Sequence, residues 1–486
     1  MGNLKEKVKQ GLTSKLDIDL KYDKTHLLEN EAKPKRRFLA LKIALASVAC
    51  SIVMMVAVPI LMIGLQTRDS FKMEKKHYSI HEINNIENNS FKSLNKISYP
   101  TSELKDNSID EMFKNGYNNF SYLTYKNINK KDNFAYSPAS LYSNLSVLSL
   151  ASNDNEINET IDEILGVSKD NRNNNYKYFY ENNYYANEQG TTQMYNGVFT
   201  SSQYEVNQQF VNALNNYYAE AYSLDFTNLK DVSKMLDWVD NKVDSDNFID
   251  PSMLNLTDET AFVMMSTMYF DNKWAAKFDS KYSYEDIFVT SNDVNTSATF
   301  MNHEYFGDLY DYGTYVAAYD KYSNSRKIKY IVPKSIEDNI YDLTAGVDII
   351  KDDESKLVKS TSEYEEPIMI DLHLPKFNAS YTIDFKETLT NIGLSKMYDE
   401  ESNSFNNAFT NLNDTSIYLQ KLMQKSEVSF NEDGTTIKNV TFSIAAGDAG
   451  PAPELDTYIV KLNQPFIYII YDNQDMPIFI GHVDSV

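Results

Sequence analysis

The hydrophobic and polar positions of this chain fall into three regimes. Ile43 to Leu65 is 23 consecutive residues without a charge, enough at about 1.5 Å per residue to cross a hydrocarbon core of about 30 Å. No other stretch could span. Thr67 to Leu104 is charged and Asn-rich with little periodicity, which predicts a tether. From Ile109 apolar residues return at helical spacing in Met112, Phe113, Tyr117, Phe120 and Leu123, and then comes a start signal in which Ser137 can cap a helix with Pro138 in its first turn. Leu145, Leu148 and the run Thr160 to Leu165 continue that pattern. Ala261 to Trp274 reads as a long strand buried on both faces, too apolar for a half-exposed edge. Val428 to Phe430 reads as a strand and Glu432-Asp433-Gly434 as its end. Thr435 onward is expected to be a long exposed segment, of small and β-branched residues able to become a strand.

Charge gives the apolar run a direction. The net charge is −23, yet residues 1–37 hold ten Lys/Arg against six Asp/Glu, so the remainder carries −27. Lys33, Lys35, Arg36, Arg37 and Lys42 precede the span, which puts the N-terminus in the cytoplasm and the bulk of the chain outside. A cleaved signal peptide competes, but apolar residues continue past Ala49 to Leu65, favouring an uncleaved anchor. Cys50 lacks a lipoprotein setting, because Ser47 stands where leucine is usual. The expected organisation is a cytoplasmic tail at 1–37, a transmembrane signal anchor at 38–66, a tether at 67–104 and an extracellular domain at 105–486.

With 42% hydrophobic residues the domain can bury a large core, and a single cysteine excludes internal disulfides. A body this acidic repels nucleic acid, and the Asn- and Tyr-rich stretch 169–190 has no basic cluster to hold a polyanion. Abundant Tyr and Asn with few Gly and Pro look like a low-GC coding bias, a hint of a bacterial source. Catalytic signals are missing. His26, His77, His81, His303, His373 and His482 are scattered, His81-Glu82 has no second His at zinc-protease spacing, and no Gly-x-Ser-x-Gly elbow or phosphate loop occurs. No enzyme, metal site or cofactor is expected.

Lys425, Glu432, Gly434 and Thr435 resemble the proximal hinge of the serpin family. The family's C-terminal signature follows at the expected distance, in Leu462 to Ile470 and Pro477 to Val483. Asn133 to Leu141, Gly197 to Phe278, Phe300-Met301, Leu372 to Phe377 and Phe385 to Leu394 extend the resemblance over about 105–486, with Trp238 and Trp274 at the family's tryptophan positions. It implies an α+β serpin fold, with three β-sheets, surrounding helices and an exposed reactive loop, preceded here by one transmembrane helix.

The implied mechanism is suicide inhibition of a serine or cysteine protease. The protease attacks the loop and forms an acyl-enzyme, and the cut loop inserts into the main sheet before water can release it. The family's spacing from Glu432 places the bait bond at Asp448–Ala449, within a window of Ala445, Ala446, Gly447, Asp448 and Ala449; Gly450-Pro451-Ala452-Pro453 marks a displaced alternative. Asp before the bond disfavours trypsin-like and chymotrypsin-like targets, whereas alanine suits a protease with a small pocket. The hinge departs from the family at Ile437, Lys438, Asn439 and Val440, where small residues are usual. By alternation Thr435, Ile437 and Asn439 share one face, so Lys438 can stay in water. Burying Asn439 unpaired would cost about 1–3 kcal/mol, against about 1 kcal/mol gained per net ladder hydrogen bond. In the sheet-opening region Ser137 and Ser140 match, but Ser266 replaces the usual Asn and Gln424 the usual His. A non-inhibitory serpin serving as a binding or scaffold module is the alternative.

Overall fold

The structure is a computed structural model, and it describes residues 90–128, 133–245, 248–360, 368–412, 415–437 and 456–486. Among these no helix is long and apolar enough to cross a membrane; the predicted span 43–65 lies outside them.

The main sheet comprises β1 (Lys92–Ser93), β2 (Tyr185–Asn187), β3 (Gly190–Ser201), β4 (Ala219–Leu224), β5 (Phe262–Lys273), β6 (Phe377–Asp384), β7 (Met423–Phe430) and β8 (Gly434–Ile437). Its spatial order is β1-β4-β3-β5-β8-β7-β6, with β2 paired to β3. A six-stranded sheet runs from Leu309–Asp311 through Tyr315–Lys321, Lys327–Pro333, Phe466–Tyr471 and Pro477–Val483 to Phe134–Tyr136. A four-stranded sheet orders Thr457–Lys461, Met369–Pro375, Asn295–Phe306 and Tyr284–Val289, and a two-stranded ladder joins Phe409–Thr410 to Glu205–Val206. The three large sheets match the expected α+β architecture.

The C-terminal signature is a core hairpin: every residue of Phe466–Tyr471 and of Pro477–Val483 is buried. Each large apolar side chain buried there is worth roughly 1.5–3 kcal/mol, so the motif marks stability. Helix α1 spans Glu111–Asn127, capped by Asp110, whose carboxylate accepts from the Met112 N–H at 2.8 Å. Helix α2, Pro138–Ala151, begins as its sequence predicts, with Ser137 Oγ accepting from the Ser140 N–H at 3.2 Å and Pro138 in the first turn. All of α2 is buried, packed beneath β5 and against the Pro477–Val483 strand. On the other face of the main sheet lies α3 (Leu229–Val243), whose Met235, Trp238 and Val239 pack on Phe199, Leu224 and Met265.

Two expectations shift. β5 is central, between β3 and β8, yet Phe262, Val263 and Met264 stay half-buried, because β8 covers only the far end of the strand. The tether expected over 67–104 is docked from Ser90 onward: β1 adds to the edge of β4, and the Ser102 carbonyl accepts from the Ala186 N–H at 2.9 Å. Its contacts are single hydrogen bonds and isolated aromatics, which leave no periodic signature.

Candidate functional site

The hinge does not start an exposed segment at Thr435. Gly434–Ile437 is a strand already seated between β5 and β7, with Gly434 opposite Lys273, Thr435 opposite Asn272 and Phe430, and Ile437 opposite Phe270. Composition showed that these residues could become a strand; two remote strands parting at one end give them a place to do so. Lys438, Asn439 and the bait window Ala445, Ala446, Gly447, Asp448 and Ala449 lie outside the described residues.

Gly434 allows this seating. A Cβ there would stand 2.2 Å from the Asn272 carbonyl oxygen, a backbone atom held in the ladder. Thr435 is fully buried and its hydroxyl accepts from Tyr322 at 2.8 Å, so the face predicted to enter the core does so at this position. The preceding turn is tied from several sides. Asn431 Oδ1 accepts from the Asp433 and Gly434 N–H groups at 3.0 and 3.3 Å. Trp274 lies flat on Tyr322 at 4.9 Å and donates its indole N–H to the Asn431 carbonyl at 2.9 Å. Glu432 pairs with Lys376 at 2.6 Å and accepts from Ser283 at 3.0 Å. Burial pushes the Glu432 carboxyl upward, but Lys376, its own backbone N–H and Ser283 outweigh it and hold the group below its ordinary value of 4.5.

Beyond β8 the strands β5 and β7 leave a slot. Its cavity of about 90 Å³ is lined by Phe262, Met264, Ser266, Met423 and Gln424, and by Phe248, Ile249, Met253, Leu254 and Leu256 of the linker that follows α3. Two lysines fasten this linker over the slot: Lys425 donates to the Phe248 carbonyl at 2.6 Å and Lys421 to that of Met253 at 2.9 Å. Lys425, singled out in the hinge, thus acts on the strap across the sheet.

The sheet-opening residues meet beneath the slot in two groups. Gln424 accepts from the Ser137 N–H at 2.7 Å and returns an amide N–H to the Ser137 carbonyl at 3.4 Å, tying β7 to the start of α2. Ser266 Oγ lies 2.7 Å from both the Asn144 and Asn196 side-chain amides. Both contacts are to the amide oxygens Oδ1, and a hydroxyl has one proton to give, so Ser266 shares its single donor between them, tying β5 to α2 and β3. Among the described residues no hydrogen bond joins Ser266 to Gln424, and the buried Ser140 hydroxyl has no partner. Each side of the opening is therefore latched to α2 separately, through side chains that replace the family's usual pair. Asn144, Asn196, Tyr322 and Asn431 went unnoticed in the sequence. Lys376 alone had a signal, within the Leu-Pro-Lys-Phe motif. Among the described residues no three His, Cys, Asp or Glu are placed to hold a metal.

A family model described as serpin (serine protease inhibitor) matches residues 115–486. The chain belongs to the serpin family. Its members inhibit proteases and are not enzymes. Alpha-1-antitrypsin of Sus scrofa is 24% identical over 293 residues, covering 59% of this serpin and 65% of the pig protein, so the match spans just under two thirds of that relative. Serpin B13 of Homo sapiens is 25% identical over 303 residues, 60% of this chain and 73% of its own. Among solved structures the thermophilic serpin tengpin in its native state superposes with a TM-score of 0.66 at 23% identity, over 80% of this chain and 98% of tengpin, a likeness of fold.

Proposed function

We propose that this serpin is a suicide inhibitor of a serine or cysteine protease, held outside the cell by a single membrane anchor at 43–65 with its N-terminus in the cytoplasm. One observation carries the inhibitory part: the hinge is seated as β8 at one end of a slot that continues between β5 and β7. Cleavage in the window Ala445 to Ala449 frees the loop to extend that strand. Continued in the same register, position 439 falls between Met268 and Ser426, and position 441 between Ser266 and Gln424. Asn439 then faces a buried serine, which answers the cost of burying it without a partner. Lys438 falls on the opposite face, toward solvent and the strap.

The anchor and its orientation rest on the uncharged run and the basic cluster before it, and a bacterial source rests on composition alone. A non-inhibitory binding role is the second reading, favoured by Ile437, Lys438 and Asn439 where small residues are usual. Thermal unfolding before and after the loop is nicked separates the two. The inhibitory reading expects a marked rise in the midpoint as a new strand enters the sheet; an unchanged or lower midpoint favours the binding module.

A further inference from the structure

Insertion parts β5 and β7 by one strand spacing, about 4.8 Å. The linker 248–254 is bonded to Lys421 and Lys425 on the β7 side and continues from α3, which packs on β3, β4 and β5. Opening therefore stretches it. Either the lysine bonds break or α3 slides across the strands beneath it. The docked arm, residues 90–108, bears on the second route, because it grips α3 at both ends.

At the start of α3 the Ser90 hydroxyl donates to the buried Asp231, Phe91 stacks on Tyr222 at 5.1 Å, and the Lys234 ammonium stands 5.6 Å from the Phe91 ring. Toward its end everything converges on Glu220 of β4. That carboxylate accepts from Tyr99 of the arm at 2.5 Å, from Tyr222, from the Trp238 indole at 2.8 Å and from Lys242 at 2.9 Å. Lys242 also sits against the Tyr195, Tyr99 and Trp238 rings at 4.3, 5.1 and 5.7 Å. One carboxylate thus joins arm, sheet edge and helix. Charge-assisted bonds in a half-buried site are among the stronger hydrogen bonds, and a network is worth more than its separate pairs.

We propose that the arm is a clamp on α3, with Glu220 as its positioning residue, and that by holding the helix to β4 it sets how fast the slot can open. With the arm docked, insertion must break the Lys421 and Lys425 bonds; with the arm loosened, α3 slides and the slot opens sooner. The consequence for inhibition rests on the reading given above, whereas the clamp itself rests only on the geometry of the arm and helix.

The test uses the full-length chain and two variants, Tyr99→Phe, which removes one donor and keeps the ring, and Glu220→Gln, which removes the charge. Tyr178→Phe, at an exposed tyrosine, is the control. Hydrogen exchange of the α3 amides in the uncut protein should quicken about tenfold in both variants, the factor equivalent to 1.4 kcal/mol. The rate at which thermal stability rises after loop nicking should increase by a similar factor. Exchange within about twofold of the parent in both variants, below that tenfold step, overturns the clamp. If the parent gains no stability on nicking, the inhibitory reading falls while exchange still decides the clamp.

Discussion

Gly434→Ala should drive the hinge strand out of the main sheet. The new Cβ would meet the Asn272 carbonyl oxygen at 2.2 Å and the Lys273 Cα at 3.1 Å. Neither is the end of a flexible side chain, so the strand itself must move. Overpacking of this kind costs about 1–3 kcal/mol. Withdrawal of β8 also leaves the Tyr322 hydroxyl, fully buried and bonded to Thr435, without an acceptor, for roughly 1–3 kcal/mol more. A combined loss on the order of 3 kcal/mol corresponds to a fall of roughly 5 °C in the melting midpoint of a domain this large. Thr435→Val, which keeps the shape and removes the hydroxyl, isolates the second term and should cost about half as much. Trp274 reports locally, since it stacks on Tyr322 and donates to Asn431 within the hinge turn. Its emission should change in the glycine variant, and the inhibited fraction should fall. A Gly434→Ala protein melting within about 1 °C of the parent, with unchanged Trp274 emission, would refute the close packing argued for β8.

Gln424→Ala leaves the buried Ser137 N–H without its 2.7 Å acceptor and should destabilise the domain by about 1–3 kcal/mol, read by denaturant unfolding. Acid should loosen the hinge. The Glu432 carboxyl is held below its ordinary 4.5, so the stability it contributes is complete above that value and lost as pH falls through the lowered one; Glu432→Gln should flatten this limb of a pH–stability curve. Glu220 titrates in the same sense: burial raises it, but Tyr222, Tyr99, Lys242 and Trp238 hold it lower.

How legible these features were depended on how far each one reaches along the chain. The Ser137-Pro138 start of α2 is local in sequence and formed as read, whereas the C-terminal signature was read only as a family motif and folds as a buried hairpin. The segment read as the hinge was expected to be exposed from Thr435, yet it is seated, because seating depends on the strands of Asn272 and Phe430 parting at one end of the sheet, which no local pattern records. Ser266 and Gln424 were marked as departures from the family's usual pair. The structure supplies Asn144, Asn196 and the Ser137 backbone as partners, drawn from a helix and a strand distant in sequence. Both tryptophans stood out as falling at the family's tryptophan positions; each is buried, and each donates to a named acceptor, Glu220 or the Asn431 carbonyl. The arm was hardest to see, since its hold rests on Ser90, Phe91 and Tyr99 at irregular intervals in an Asn-rich stretch.

Whether the loop traps a protease is tested most directly by incubating the full-length protein with a panel of serine and cysteine proteases, followed by a denaturing gel and mass spectrometry of the products. The account predicts a covalent adduct the size of protease plus inhibitor, with the new C-terminus mapping between Ala445 and Ala449. Clean cleavage of the loop by every protease tested, with no adduct and no gain in thermal stability, would contradict it.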